Sequence, residues 1–530
     1  MINLINDQIL ITMKRFFSNG ILLSVLLFAV MASCKKDPVI VKVTGIILDQ
    51  KLATVRIGTP LKLTASVAPF DATEKNLTWK TSDATIATVA ADGTVSGVAT
   101  GSAEITVTTV DGLFTDKSVV TVFPSAGSTI TLAGNITSSL TLKSDINYVL
   151  DGWVYVKSGA IITIEPGTVI KGKVDTKASL VIERGAKIMA NGTAAKPIVF
   201  TSAKPAGSRA AGDWGGVVLC GNAKINVTGG EAEIEGGLGT KYGGTDDNDS
   251  SGSMQYVRIE FAGYAFQPDK EINGLTFGGV GRGTVIDYIQ VSYANDDSYE
   301  WFGGTVNCKH LIAYSGLDDE FDTDFGFSGF VQYIVGLRDP AIADISKSNG
   351  FESDNDGSGS TNIPTTNPRF ANVSLYGPLA TPTTTINPLF QASMHIRRKS
   401  NLEVYNSVFA GWPMGLLLAD PKGNGGTGAQ VKGCILSGMT DNYGGNTAGE
   451  KAFFEDVTRV NRTIALNSDL KVTNPFNLTA PNFLPQTGSP LLTGATTVPT
   501  GLETTDYIGA FKTTDWTAGW ANWTPKTTTY

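Results

Sequence analysis

The sequence predicts an all-β chain: a small β-sandwich followed by a parallel β-helix solenoid. Three observations carry that reading. The 530 residues include 60 glycines but only 17% charged residues, a balance that favours short strands and tight turns over helices. Residues 41–123 contain runs that alternate apolar and polar with period two. Beyond residue 129 the chain repeats itself at an offset of 22 residues without helical periodicity.

The N-terminus comes first. Met13-Lys14-Arg15 is a short basic start, residues 21–31 are an almost unbroken apolar run, and Ala32-Ser33-Cys34 follows. Charged, apolar, small-residue cut is the order of a secretory signal, and the apolar run is short for a permanent membrane span. Residues 1–12 read as an upstream mis-start before Met13. Val30-Met31-Ala32-Ser33 ahead of Cys34 resembles the lipobox of bacterial lipoproteins. That resemblance implies loss of residues 1–33, lipidation of Cys34, a tether over 34–40 and attachment to a membrane. Lys35 stands where retention in the inner membrane favours Asp. Lys35-Lys36-Asp37 partly resembles the charged tags of surface-exposed lipoproteins, so the expected location is the cell surface of an outer membrane. A plain secretory signal with a chance cysteine is the competing reading.

The formal charge of −8 argues against a nucleic-acid partner, because phosphate binding calls for a basic face. After Cys34 only Cys220, Cys308 and Cys434 remain, far apart and odd in number. A disulfide framework is not expected, and apolar surroundings such as Val217-Val218-Leu219 make these thiols small buried hydrophobes.

Residues 41–123 hold half-buried strands such as 61–67 and 103–108, with Gly93, Gly97 and Gly101 recurring every fourth residue. The stretch LTWKTSDATIATVAADGTVSGVATGSAEITVT (77–108) closely resembles the group 2 bacterial Ig-like domain. Trp79, Ser82, Ile86, Val89, Gly93, Val95, Gly97, Gly101, Ala103 and Ile105 carry the likeness. It implies a sandwich that serves as a spacer or binding unit in surface proteins, here a stalk.

Residues 124–128, Pro-Ser-Ala-Gly-Ser, read as a linker, and 129–530 as one solenoid domain. Residues 286–304 laid over 309–326 place Asp296 on Asp318, Asp297 on Asp319, Tyr299 on Phe321, Glu300 on Asp322 and Gly304 on Gly326. Ile289 falls on Leu311 and Val291 on Ala313 in the same register. A 22-residue coil of strands and turns fits a parallel β-helix, whose stacked coils enclose an apolar interior. The stretches 152–172 and 178–202 resemble the opening coils of right-handed, pectin-lyase-like β-helices, and 296–311 resembles a phrase in a family of uncharacterised bacterial surface lipoproteins. GSPLL (488–492), DYIGAF (506–511) and Trp516, Trp520 and Trp523 resemble that family's closing cap. The resemblance spans most of 129–530 and implies a fold without an activity. Residues 353–387, rich in Thr, Pro, Asn and Gly, are expected to be a loop off the solenoid.

The register stacks acids. Asp296 over Asp318, Asp297 over Asp319 and Glu300 over Asp322 stand about 4.8 Å apart at the backbone. Asp324, Glu352, Asp354 and Asp356 extend the strip. Such an oxygen-rich set suits calcium, and Asp296, Asp297, Glu300, Asp318, Asp319, Asp322 and Asp324 are the candidate ligands. Turn capping by Asp and Asn side chains is the competing reading for each acid taken singly. On a strand through SMHIRRKSN, His395, Arg397 and Lys399 share a face and are candidates to hold an anionic sugar polymer. Neutralising the acidic strip is their alternative role. Tyr299 and Trp301, with Phe302, Tyr264, Phe266 and Trp412, are candidates to stack on sugars, although alternation sends about half of such residues inward.

Two functions stay open. One is a surface protein of adhesin type, whose Ig-like stalk presents a β-helix face to polysaccharide. The other is a polysaccharide-degrading enzyme, either a lyase using calcium with Arg or Lys, or a hydrolase using paired carboxylates. No Gly-His-Gly, serine-hydrolase elbow or nucleotide loop is present, and two histidines exclude a His-rich metal site.

Overall fold

The computed structural model describes residues 39–267, 270–445 and 447–530, with the side chains of 265–267, 270 and 447 left aside. The signal segment and Cys34 lie outside the described residues. Two compact units emerge, divided between Ala126 and Gly127. Among the described residues no helix is long and apolar enough to cross a membrane.

The first unit is a β-sandwich. One sheet orders its strands Leu52–Arg56, Thr115–Phe123, Gly101–Thr109 and Leu77–Thr81. Against it pack Leu61–Lys62, Thr94–Gly97 and Ala87–Val89, and the pair Gly45–Leu48 and Ala65–Ala68. The period-two pattern does its expected work: Val55, Ile105, Val107, Val120 and Val122 point inward to meet Leu63, Ala87 and Val95. Gly93 turns with φ +85°, beneath the Trp79 ring.

In the second unit 26 strands join in one continuous sheet. Each coil pairs in parallel with the next, so the sheet winds on itself as a β-helix. The 22-residue register is present: Ile289 pairs with Leu311, Tyr299 with Phe321, Glu300 with Asp322 and Phe302 with Asp324. Long strands such as Val285–Ser292 bend at a residue in the left-handed region, so that each coil has three faces. Tyr256, Tyr288, His310 and Tyr333 occupy that corner with φ between 48° and 61°, and their rings stack at 4.4, 4.2 and 5.1 Å. Left-handed backbone costs a non-glycine residue about 1–2 kcal/mol, and the ring ladder offsets that cost coil by coil. The interior is filled by aliphatics and by stacked aromatics, Phe277 on Trp301 and Tyr299 on Phe321, each at 5.3 Å. Cys220, Cys308 and Cys434 are buried and unpaired.

Two stretches differ from the sequence expectation. Within the span expected to be a loop, 353–387, Arg369–Tyr376 is a strand paired with Phe330–Leu337. Its Thr- and Pro-rich flanks hide it, because they break the 22-residue rhythm on both sides. The expected closing cap does not cover the end of the solenoid. Phe454, on the helix Thr447–Phe454, enters the interior cluster there instead. Residues 472–530 run back along a side of the solenoid as a strap. Phe483, Leu491, Ile508, Phe511 and Trp520 cover the outward apolar row of Ile312, Val335, Val408 and Ile435. Buried polar side chains on five coils read the strap: Asn406 bonds Thr496, Gln332 bonds Glu503, Asn372 bonds Gly509, Gln290 bonds Asn522 and Glu260 accepts from Tyr530.

Candidate functional site

The strands Leu275–Gly278, Tyr299–Phe302, Phe321–Asp324, Phe351–Ser353 and Ala392–Ile396 lie side by side. Alternation sorts their residues. Tyr299, Trp301, Phe321 and Phe351 face the interior, and Thr323 and Ser353 join there through hydroxyls 2.7 Å apart. Thr276, Glu300, Asp322, Glu352 and His395 form one row on the outer face. Tyr299 and Trp301 are therefore fully buried and cannot stack on a sugar, and Trp412 is buried too. Phe302 packs outward, but under an excursion of the chain carrying Ile225, Ile234, Leu238 and Tyr242. Tyr264 carries the Lys177 ammonium over its ring at 3.9 Å, and the Phe266 side chain lies outside the described set.

Beside this row, at the turn before each strand, stands a second one. Asp297 Oδ1 accepts the backbone N–H of Asp319 at 2.9 Å, Asp319 accepts that of Asn349, and Asn349 Oδ1 that of Ala392 at 3.1 Å. One carboxylate oxygen of Asp297 and one of Asp319 thus cap the turn, which satisfies an otherwise buried N–H. The rung before them departs from the pattern. Leu275 pairs with Tyr299, which places Asn273 over Asp297. Asn273 instead turns its amide N–H to Glu300, and its Oδ1 has no partner although the residue is only 1% exposed. Leaving a buried amide oxygen unpaired costs about 1–3 kcal/mol.

Carboxylate oxygens of Asp297, Glu300 and Asp322 lie within 4.8 Å of one another, as do those of Asp296, Asp297 and Asp318. Oδ1 of Asp318 and Oδ1 of Asp322 are also buried without a partner. Burial, and then the charge on the neighbouring acids, pushes Asp296, Asp297, Glu300 and Asp318 well above the usual carboxylate range. The same causes push Asp319 up to about 7 and Asp322 to about 8. Asp324, whose Oδ1 accepts the Phe325 N–H at 2.6 Å, is pushed by burial to about 7. Glu235, on the excursion over this face, adds to the rise at Glu300 and at Asp324.

The basic residues sit at the far end of the strip. Arg397 Nε donates to Asp354 Oδ1 at 2.8 Å and Nη2 to Glu352, while Arg398 Nη1 donates to Asp354 Oδ2 at 2.7 Å and Nε to Asp420 at 3.3 Å. Both guanidiniums are therefore partners of acids, the role the sequence offered as the alternative to holding an anionic polymer. Lys399 does not share the face with His395 and Arg397. The strand ends at Ile396, Arg398 and Lys399 both have left-handed φ, and Arg398 joins the site while Lys399 is exposed. His395 is buried, with Nδ1 3.8 Å from Glu352 Oε2 and without a hydrogen bond, and burial lowers its pKa to about 4. Asp356 faces its own loop, taking four hydrogen bonds from Ser358 and Ser360.

Sequence reasoning missed Asn273 and Glu235. Asn273 was within reach, since residues 275–279 continue the coil register at an offset of 24 from 299–303. Glu235 lies on an excursion without repeat signal. Also missed was Glu320, whose fully buried ion pair with Arg338, at 3.0 Å, holds the turn carrying Asp318 and Asp319.

A carboxylate-lined outer face on a parallel β-helix, following an Ig-like sandwich in the sequence, defines a β-helix protein of the pectate-lyase-like class. The chain belongs to that family: the model of the pectate-lyase like beta helix domain matches residues 134–521, and that of the group 2 bacterial Ig-like domain matches 42–122. The curated relatives match over short stretches. An alpha-L-arabinofuranosidase of Bifidobacterium longum is 46% identical over 88 residues, 16% of this chain and 8% of that protein. An Ig-like virion protein of Serratia phage KSP90 is 44% identical over 84 residues, 16% of this chain and 33% of that protein. An uncharacterized protein of Bacillus cereus is 32% identical over 90 residues, 16% of this chain and 68% of that protein. The chain thus spans less than a tenth of the arabinofuranosidase, and the matched lengths are those of the Ig-like module.

Proposed function

We propose that this protein is a lipid-anchored surface lipoprotein that binds polysaccharide on the outer face around Asp297, Glu300 and Asp322, with the Ig-like unit as its stalk and calcium as its cofactor. The pectate-lyase-like fold supports a carbohydrate role, and the short arabinofuranosidase match is in keeping with it. The observation that carries the site is Asn273: it leaves the turn ladder and holds an unpartnered amide oxygen beside three clustered carboxylates. Calcium takes six to eight oxygens from carboxylates, carbonyls and ligand. Asp297, Glu300, Asp322 and the Asn273 amide oxygen would supply the protein's share, and Asp296 and Asp318 border them. The cation would supply the positive charge that Arg397 and Arg398 do not, since both guanidiniums are already paired with acids. An anionic polymer is then held through the cation.

The test is retention of the full chain on immobilised polygalacturonate, alginate, xylan and chitosan, with calcium or with chelator, while new reducing and unsaturated ends are measured. The reading expects calcium-dependent retention of an acidic polymer without new ends. Retention of none of them overturns it. A second reading, a polysaccharide-cleaving enzyme, is favoured by the clustered carboxylates of Glu300 and Asp322, whose burial raises both above the usual carboxylate range, toward what a general acid needs. New ends that disappear in Asp322→Asn would establish it.

A further inference from the structure

On a different face of the solenoid, before the corner held by Tyr288 and His310, the structure has a groove of about 350 Å³. Its floor is built from three successive coils and one wall from Gly501 and Leu502 of the strap. Two rows of outward side chains run along it. Val285 pairs with Asn307, and Phe330 comes next, its N–H bonded to Asn307 Oδ1 at 2.9 Å. Asp287 pairs with Lys309, and Lys309 with Gln332. The first row is largely apolar, and the second is polar throughout. Val285 is 48% exposed, so its apolar side chain is open to a ligand.

The base on this floor is already paired. Asp287 Oδ1 lies 2.7 Å from His310 Nδ1, and Lys309 is paired with Glu503 of the strap. Gln332 is held rigid by Glu503, giving to its carbonyl at 2.8 Å and taking its N–H at 2.8 Å. With Lys309 taken by Glu503, such a floor has no unpaired base to attract a uronate. It fits a ligand with one apolar face and one edge of hydroxyls, extended across strands about 4.8 Å apart. A pyranose unit in a linear polymer has that form. The apolar row meets the ring face, and Asp287 and Lys309 meet the hydroxyls, while Gln332 is buried beneath the strap.

We propose that this groove is a second carbohydrate subsite, specific for uncharged sugar units and independent of the carboxylate face. The inference takes its ligand class from the proposed function and uses none of that site's residues.

The chain contains two histidines, one beside each site, His310 at the groove and His395 at the carboxylates. Full-length protein with ¹⁵N-labelled histidine, titrated with xylohexaose, mannohexaose and cellohexaose, therefore reads the two sites separately. His310→Gln assigns the signals. The expected result is a saturable shift of the His310 signal with at least one neutral hexasaccharide, while His395 stays still. Val285→Trp fills the floor at an exposed position and should weaken the binding at least tenfold, and Lys309→Ala should weaken it as well. A His310 signal unmoved by all three sugars overturns the groove, as does a shift that survives both substitutions. Movement of His395 on adding oligogalacturonate with calcium, together with a His310 signal unmoved by all three neutral hexasaccharides, would keep the proposed function and overturn this subsite.

Discussion

One carboxylate oxygen of Asp297 accepts the backbone N–H of Asp319, one coil further on, at 2.9 Å, and the same carboxylate belongs to both acid triads of the outer face. A single side chain is thus a rung of the turn ladder and a shared member of a charge cluster. Neutral Asn keeps the first role and removes the second, whereas Ala removes both.

Asp297→Asn should leave stability within about 1 kcal/mol of the parent, because the acceptor survives and one buried charge is relieved. Asp297→Ala should cost about 1–3 kcal/mol by orphaning the Asp319 N–H. Calcium at a hundredfold excess over its dissociation constant should stabilise the parent by about 2.7 kcal/mol and neither variant to that extent. Urea unfolding of the full chain with calcium and with chelator measures all three. Identical curves for the parent in the two conditions would end the cation reading.

His395 makes a pH prediction. Its folded pKa, about 4, lies below the unfolded value near 6.5, so the buried ring stays neutral while the unfolded chain takes up a proton. The contribution is complete above pH 6.5 and is lost as pH falls toward 4, reaching about 3 kcal/mol. Other acids here titrate with the opposite slope, so the informative quantity is the difference between the parent and His395→Gln. That difference should grow in the variant's favour from pH 7 to pH 5. A constant difference would mean that His395 takes up its proton as readily in the folded protein as in the unfolded chain.

In the Ig-like unit, a Cβ on Gly93 would stand 2.6 Å from the Leu63 carbonyl oxygen and 2.7 Å from the Trp79 ring, at φ +85°. Gly93→Ala should destabilise this unit by about 3 kcal/mol, combining left-handed strain with overpacking. Limited proteolysis should then cut within 41–123 before it cuts the solenoid. Simultaneous cutting of both units would contradict the expectation.

Anchoring is tested at Cys34, outside the described residues. Cys34→Ala should abolish membrane association and leave a soluble or uncleaved form. Unchanged membrane fractionation of that variant rules out the lipid anchor.

The register of the site could be read in the sequence only where coils keep equal length. Between Glu300 and Asp322 the offset is 22, and the pairing was legible. From Asp322 to Glu352 it is 30 and from Glu352 to His395 it is 43, because excursions lengthen the coils and erase the repeat. Composition pointed to His395 and Arg397 but misjudged Lys399, since period two fails once the backbone turns left-handed at Arg398. Tyr299 and Trp301 illustrate the other limit. The alternation was plain, but its phase was not, and the same pattern serves a ring that faces sugar and a ring that faces the core. Ladder membership hid Asn273 for a further reason: its amide departs from the rule that its neighbours obey, and only coordinates show a departure.

The strap gives the solenoid a mechanical polarity. Stacked coils alone would part wherever the weakest interface lay, as beads on a string do. Here, a load applied through Tyr530 meets Glu260 first, then Gln290 at Asn522, then Asn372 at Gly509, Gln332 at Glu503 and Asn406 at Thr496, each on its own coil. Peeling must undo these fastenings one after another before the coils they hold are free to unwind, so tension reaching the protein from that side is taken up in small steps.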